Sequence, residues 1–165
     1  MINRLMSITC HFMNHFMLLG IFLLVPTIAG CDISNFPSQR DYPQPLLKQS
    51  TLFIGSNKIP CLVEVADQGY EIQLGLMGRE SLEKGTGMLF VFTKPIHAAF
   101  WMKNTTLELS IAYIDANLVI QEIHDMTPLD QTLILSQKDN ILYALEVPRG
   151  WFQENHIEVG DLVQF

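Results

Sequence analysis

The chain has 165 residues, 48% of them hydrophobic, and a formal net charge of −7 at pH 7. This length suits one globular domain that is large enough to bury a core. The excess of acidic residues argues against a nucleic-acid partner, because binding to a phosphate backbone depends on basic side chains.

The first 30 residues have the pattern of a bacterial lipoprotein signal peptide. Arg4 precedes an apolar stretch over 16–25, which Pro26 interrupts. The stretch is too short to cross a bilayer, which takes about 20 residues. It ends in Ile-Ala-Gly-Cys at 28–31, small residues before a cysteine, which predicts cleavage before Cys31 and lipid on that residue. The alternatives are a short transmembrane anchor or a secretory signal cut elsewhere.

Lipid on Cys31 predicts a protein anchored in the bacterial cell envelope and facing the periplasm or the exterior. After cleavage nine basic and 17 acidic residues remain. The lipid, and not a basic patch, must therefore hold the chain at an anionic membrane. By resemblance to enterobacterial lipoproteins, the acidic Asp32 indicates retention in the inner membrane.

The remaining chain divides into a tether over 31–50 and a domain over 51–165. The tether is predicted from its three prolines and its lack of hydrophobic periodicity. Cys61 is the single thiol left once the signal is removed and Cys31 is lipidated, and it falls in an apolar run. We expect it to be a buried small residue, with no disulfide and no thiolate metal site in the domain.

In the domain, short runs rich in β-branched and aromatic residues alternate with turn signals. These runs predict strands over 51–54, 59–66, 87–92, 97–102, 107–113, 118–126, 141–147 and 161–165. Helices are predicted over 68–82 and 151–156. Seven or eight short strands with one or two short helices indicate a mainly-β fold, either a small β-sandwich or an open-barrel-like roll.

Five short motifs in this domain resemble those of the DUF192 family, in the same order. They are Gly-Leu-Met-Gly-Arg at 75–79, Gly-Met-Leu-Phe at 87–90, Phe-Trp-Met-Lys-Asn-Thr at 100–105, Leu-Glu at 145–146 followed by Gly150, and Val-Gly-Asp at 159–161. The resemblance covers about 52–165. It implies a small mainly-β sandwich or roll with a helix at one side, in a family whose members are often exported or lipid-anchored. It implies no activity, because the family is of unknown function.

The chain departs from that family at Ser110, where relatives usually carry an aspartate. A role that depends on this acid is therefore not carried over. Glu108 lies on the same face of the predicted strand, but two residues along a strand amount to a shift of about 7 Å.

Arg79 is the first candidate for ligand binding. Its guanidinium suits a carboxylate or phosphate of a ligand. In the alternative interpretation the glycines before it let the predicted helix lie against the sheet, and Arg79 pairs with a carboxylate such as Glu146 or Asp161.

The segment from Trp101 to Thr105 is the second candidate. It places an apolar platform beside three hydrogen-bonding side chains, which suits a sugar ring or another flat ligand. Trp101 and Met102 point to opposite faces of a strand, so at least one should be in the core. Asn104 has an alternative role in ending the strand through an Asx-turn. The candidate ligand-binding residues are Arg79, Trp101, Lys103, Asn104, Thr105 and Glu146.

Acid–base and metal candidates are weaker. Glu122 and His124 share a strand face and form a possible metal or proton-transfer pair, for which His97 or His156 would have to supply a third ligand. A solvated polar face is the preferred interpretation, and the sequence has no Gly-x-Ser-x-Gly, phosphate-loop or His-Glu-x-x-His motif. We therefore favour a binding or accessory module, without a cofactor, for a small solute, a glycan or an envelope protein. The alternative is an envelope hydrolase, metal-assisted or not, that uses Glu122, His124 and Glu146.

Overall fold

The computed structural model describes residues 44–165. The predicted signal peptide, Cys31 and most of the predicted tether lie outside the described residues. Among the helices of residues 44–165, none has the length and apolarity that a bilayer crossing requires.

Nine strands and two short helices make up the described chain, which confirms the mainly-β prediction. The strands are β1 (Lys48–Ile54), β2 (Ile59–Ala66), β3 (Thr86–Ile96), β4 (Ala99–Phe100), β5 (Leu109–Asp115), β6 (Ile120–Met126), β7 (Ile134–Leu135), β8 (Ile141–Pro148) and β9 (Val163–Gln164). The helices are α1 (Gly69–Leu74) and α2 (Trp151–Glu154).

Seven strands form one sheet in the order β6-β5-β8-β3-β2-β1-β9. All neighbours are antiparallel except β2 and β3, and a parallel pair needs a crossover, which here contains α1. The C-terminal segment pairs with β1 through Val163 and Ile54, and Leu162 bridges to Val119 just before β6. β9 forms one edge of the sheet, and Leu162 just before it bridges to the residue just before β6, the strand at the other edge. The sheet therefore curls into a half-barrel.

Both faces of the sheet carry a buried apolar cluster. All seven residues of β5 are buried, and its alternating side chains divide between the clusters, as expected for a strand covered on both sides. Ala112 and Ile114 join the first cluster, which α2 covers with Trp151 and Phe152. The second cluster is covered partly by α1 and by the small β4–β7 sheet.

The predicted helix over 68–82 is much shorter in the structure. It ends at Leu74 because Gly75 has a φ of 50° and Gly78 a φ of 74°. Both values lie in the left-handed region, which glycine adopts at low cost and which stops a right-handed helix. The motif that suggested close helix packing therefore forms the turn that ends the helix.

Strand boundaries also differ: β5, β6 and β9 are displaced or shortened by one or two residues at their ends, and three larger differences occur elsewhere. β3 continues to Ile96 through the predicted break at 93–95, with a register shift against β8. β4 is reduced to two residues and pairs with β7, a strand that the sequence did not predict. β1 begins at Lys48, within the range assigned to the tether.

Gly87 tests how closely β3 and β8 are packed. A Cβ at this position would lie 2.4 Å from the carbonyl oxygen of Glu146 and 3.0 Å from Val147 Cγ1. Because backbone cannot move aside cheaply, we expect Gly87→Ala to lower the free energy of unfolding by about 1–3 kcal/mol. In the control Gly69→Ala, the added Cβ meets nothing within 4 Å. Urea titration of both variants should separate them, and equal stability would contradict this packing.

Candidate ligand-binding site

A cleft of about 290 Å³ lies between α1 with its following turn and the segment after β4. We call it the α1 cleft. One wall comes from the helix side and the other from the chain after Phe100. The lining residues are Tyr70, Gln73, Leu74, Met77, Gly78, Trp101, Lys103 and Asn104.

Alternation along the chain after β4 places the indole in this cleft. Met102 is buried and its amide donates to the carbonyl of Asp130 at 2.8 Å, whereas Trp101 remains 40% exposed. This confirms that the two side chains point to opposite faces. The ammonium of Lys103 lies 5.2 Å from the centroid of the Trp101 ring, a cation–π contact that favours this arrangement of the two side chains.

Asn104 joins the two walls of the cleft. It has a φ of 60°, and its carbonyl accepts a hydrogen bond from the amide of Gly78 at 3.0 Å. The next residue, Thr105, is buried and donates from Oγ1 to the carbonyl of Lys103 at 3.3 Å. Asn104 therefore both turns the chain and lines the cleft, while Thr105 stabilises this turn through its hydrogen bond to Lys103.

The helix wall was missed by sequence reasoning. Tyr70, Gln73, Leu74 and Met77 follow the spacing of one helical face, although the last lies beyond the end of α1. This periodicity was a usable signal, because the same face carries both aromatic and amide side chains. Nothing in the local sequence, however, shows which distant segment such a face opposes.

Arg79 lies outside the α1 cleft. Its Nη2 contacts Glu64 Oε2 at 2.6 Å, and its Nε donates to Gln44 Oε1 at 3.1 Å. Arg79 thus pairs with a carboxylate, as the alternative interpretation expected, but the partner is Glu64 and not Glu146 or Asp161. Arg79 and Glu64 border a second cleft of about 210 Å³, and both side chains are only partly exposed.

Glu146 is buried in the sheet, where its neighbours on β3 and β5 are Met88 and Ile111. Burial raises the pKa of its carboxyl to about 8. Tyr113 is buried on the same face; burial, followed by the charges of Glu146 and Glu122, raises the pKa of its phenol. Glu146 borders neither cleft, so it does not lie with the other candidate ligand-binding residues named from the sequence.

Glu122 and His124 do lie together, with His124 Nε2 3.0 Å from Glu122 Oε2. The other carboxylate oxygen of Glu122 accepts the amide of Gln137 at 2.8 Å, so this acid also holds the loop before β8. Within residues 44–165, no three His, Cys, Asp or Glu side chains converge as a metal site. Neither His97, which contacts the carbonyl of Ser136, nor His156 supplies the third ligand considered above.

Ser110 has a carboxylate beside it despite the departure from the family pattern. Its Oγ donates to Asp125 Oδ1 at 2.7 Å and accepts the amide of Gly150 at 3.2 Å. Asp125 is its cross-strand partner on β6 and also contacts Arg149 at 3.4 Å. The hydroxyl thus links two strands to the turn before α2.

Cys61 is fully buried, as expected. Burial raises the pKa of its thiol to about 12, so the reactive thiolate is scarcely populated at neutral pH. A role for Cys61 in packing follows.

Comparison with known proteins supports the fold and leaves the activity open. The DUF192 family model, described as "Uncharacterized ACR", matches residues 52–165. A protein of unknown function from Novosphingobium aromaticivorans DSM 12444 is 27% identical, with a TM-score of 0.69 over 75% of this chain and 90% of that chain. A "putative transcription regulator" from Sinorhizobium meliloti 1021 is 25% identical, with a TM-score of 0.70 over 74% and 97%. No curated protein matches the chain.

The raised pKa of Glu146 predicts a specific dependence of stability on pH. Between about pH 4.5, the ordinary value, and pH 8, the folded protein keeps a proton that the unfolded chain releases. The stabilisation from this group is therefore full below pH 4.5 and is lost as the pH rises through 8. We therefore expect the difference in free energy of unfolding, Glu146→Gln minus wild type, to increase between pH 5 and pH 8, by on the order of a few kcal/mol.

Denaturant titrations at several pH values measure this difference. Glu108→Gln is the control, because Glu108 is an exposed acid. Its profile should run parallel to that of the wild type. A parallel profile for Glu146→Gln as well would show that Glu146 is not buried as a neutral acid.

Proposed function

Because the chain belongs to the DUF192 family, which has no assigned activity, we propose its function from the α1 cleft. The protein is a binding module of the bacterial cell envelope, anchored by lipid on Cys31, and the α1 cleft receives a small glycan. The observation that carries this proposal is the indole of Trp101 facing a cleft that amide and ammonium side chains also border.

The lining of the cleft matches the chemistry of a sugar that carries a carboxylate. The apolar C–H face of a sugar ring stacks on an indole such as Trp101. The side-chain amides of Gln73 and Asn104 offer donors and acceptors to hydroxyl or acetamido groups, and Lys103 offers a cation to the carboxylate. A site with one aromatic platform and a few convergent polar groups is typical of small-molecule binding.

A binding role is better supported than a hydrolytic one. Hydrolysis would use Glu122 and His124, but one oxygen of Glu122 is already engaged by a loop amide, and Glu146 is buried in the sheet away from the α1 cleft. A nucleophile would also need an adjacent base. The candidate thiol, Cys61, is buried and protonated. An envelope protein as ligand remains the alternative within the binding class.

The membrane anchor rests on the sequence Ile-Ala-Gly-Cys at 28–31. Lipid on Cys31 places the domain outside the cytoplasm, facing the periplasm or the exterior, and Asp32 favours the inner membrane. An envelope glycan is within reach of a protein held there.

Replacing the indole tests the cleft. We expect Trp101→Ala to weaken binding of the N-acetylglucosamine–N-acetylmuramic acid disaccharide about tenfold, because the stacking surface is removed. Calorimetric titration of the full chain in detergent measures the affinity. The matched control is Leu162→Ala, which removes an exposed apolar side chain outside the cleft.

Three outcomes would decide between the functions. Lys103→Met should weaken binding of the acidic disaccharide but not of its uncharged carboxamide. Undiminished binding by Trp101→Ala would reject the cleft as the site. Stabilisation of the protein by Zn²⁺ that disappears in His124→Ala would favour the metal-assisted hydrolase instead.

Substitution at the predicted lipidation site tests the anchor separately. We expect Cys31→Ser to abolish incorporation of labelled fatty acid and to release the protein from the membrane fraction, because serine has no thiol to carry the lipid. Metabolic labelling and cell fractionation measure both effects. Cys61→Ser is the control and should keep the label; label that persists in Cys31→Ser would reject the anchor.

A further inference from the structure

The outer surface of the small β4–β7 sheet is apolar and open to solvent. Leu133 and Leu135 are each more than half exposed, and Trp101 follows β4 opposite Leu133 in the continued register of the β4–β7 pair. We call these three residues the outer β4–β7 face. We propose that this face inserts into the lipid surface of the membrane that carries the protein, an inference that rests on the proposed anchor at Cys31.

The pairing of β4 with β7 sets which side chains face outward. Ala99 pairs with Leu135 and Phe100 with Ile134. Phe100 and Ile134 pack against the second buried cluster, so the side chains that alternate with them point away from the core. Leu133 and Trp101 continue the two strands in this alternation, and both are exposed.

The inner side leaves no room for the leucines to turn inward. The Phe100 ring lies 4.9 Å from that of Phe90, edge to face, and the Tyr113 hydroxyl donates to the carbonyl of Ile134 at 2.6 Å. The inward face of the small sheet is thus already packed and hydrogen-bonded. The exposed leucines are therefore held outward by the packing beneath them, as an apolar contact surface would require.

The position where the described chain begins connects this face to the anchor. The side chain of Gln44 donates to the carbonyl of Met77 at 3.1 Å, and Met77 borders the α1 cleft together with Trp101. Gln44 follows Cys31 by 13 positions. Even fully extended, a chain of this length spans at most about 45 Å. Lipid on Cys31, as proposed above, would keep the start of the described chain within about 45 Å of the bilayer, so the outer β4–β7 face is within reach of the membrane surface.

The chemistry of the face suits lipid. From Thr127 to Ser136 the only charged residue is Asp130, whose carboxylate accepts the amide of Thr132 at 2.9 Å. Leucine and tryptophan side chains partition into the membrane interface, where an indole is especially favourable. Since this contact uses apolar surface, it does not require anionic lipid, which the acidic chain would repel.

Quenching by brominated lipid tests the insertion. The lipidated full chain is reconstituted into phosphatidylcholine vesicles with and without bromine on the acyl chains. The two tryptophans differ, because Trp151 is buried in the first cluster while Trp101 is on the proposed face. We expect at least a third of the exposed-tryptophan emission to be quenched, and the quenching to be lost in Leu133→Glu/Leu135→Glu. Leu162→Glu, a similarly exposed leucine beside Val119, is the control and should be quenched like the wild type.

Each outcome supports or rejects either the anchor at Cys31 or the insertion of the outer β4–β7 face. Mass spectrometry reports lipid on Cys31 in the same samples, so lipidated protein without quenching rejects the insertion and leaves the anchor intact. Quenching of protein that lacks lipid rejects the anchor and supports the face. The absence of both lipid and quenching rejects both. If the double variant and the wild type are quenched equally, the leucines do not insert into lipid. If the protein forms a dimer in detergent that only the double variant abolishes, the leucines form a contact between two copies of the chain instead. The double variant should still bind the acidic disaccharide, because neither leucine lines the α1 cleft.

Discussion

Burial of the central strands on both faces constrains everything else in this domain. With β5 enclosed along its length and β8 beside it, polar side chains in the middle of the sheet have no access to water. Glu146 illustrates the cost, since its carboxyl can be kept there only by retaining its proton at neutral pH. Solvent-accessible polar side chains are therefore concentrated at the margins of the sheet, where the chain turns and where the α1 cleft lies.

The margins are built from short connections with defined backbone geometry. Gly75 and Gly78 stop α1 after six residues, and the amide of Gly78 then bonds to the carbonyl of Asn104. This one hydrogen bond joins the helix side to the indole side, so the width of the cleft depends on where the helix ends. A longer helix through these positions, as the sequence suggested, would leave no such turn.

Local signals account for what could be predicted from the sequence, and non-local register accounts for what could not. Alternation and turn residues located eight of the nine strands, and the neighbouring residues Trp101, Lys103 and Asn104 were recognised as a candidate site. The opposite wall could not be assigned, because the contact of Met77 with that site depends on the crossover between β2 and β3. The partner of Arg79 was missed for the same reason: Glu64 is 15 positions away and is brought near by tertiary packing. β7 was missed because two residues carry no readable periodicity.

The bond between Ser110 and Asp125 bears on how relatives of this chain are compared. The family pattern implies an acid on β5, and this chain instead has an acid on the adjacent strand, one hydrogen bond away. An alignment read one position at a time records the loss of a carboxylate here. In three dimensions a carboxylate still lies beside Ser110, on the neighbouring strand and next to the turn that leads to α2. When relatives are compared with this chain, Ser110 and Asp125 are therefore better read together, as a cross-strand pair, than as two separate positions.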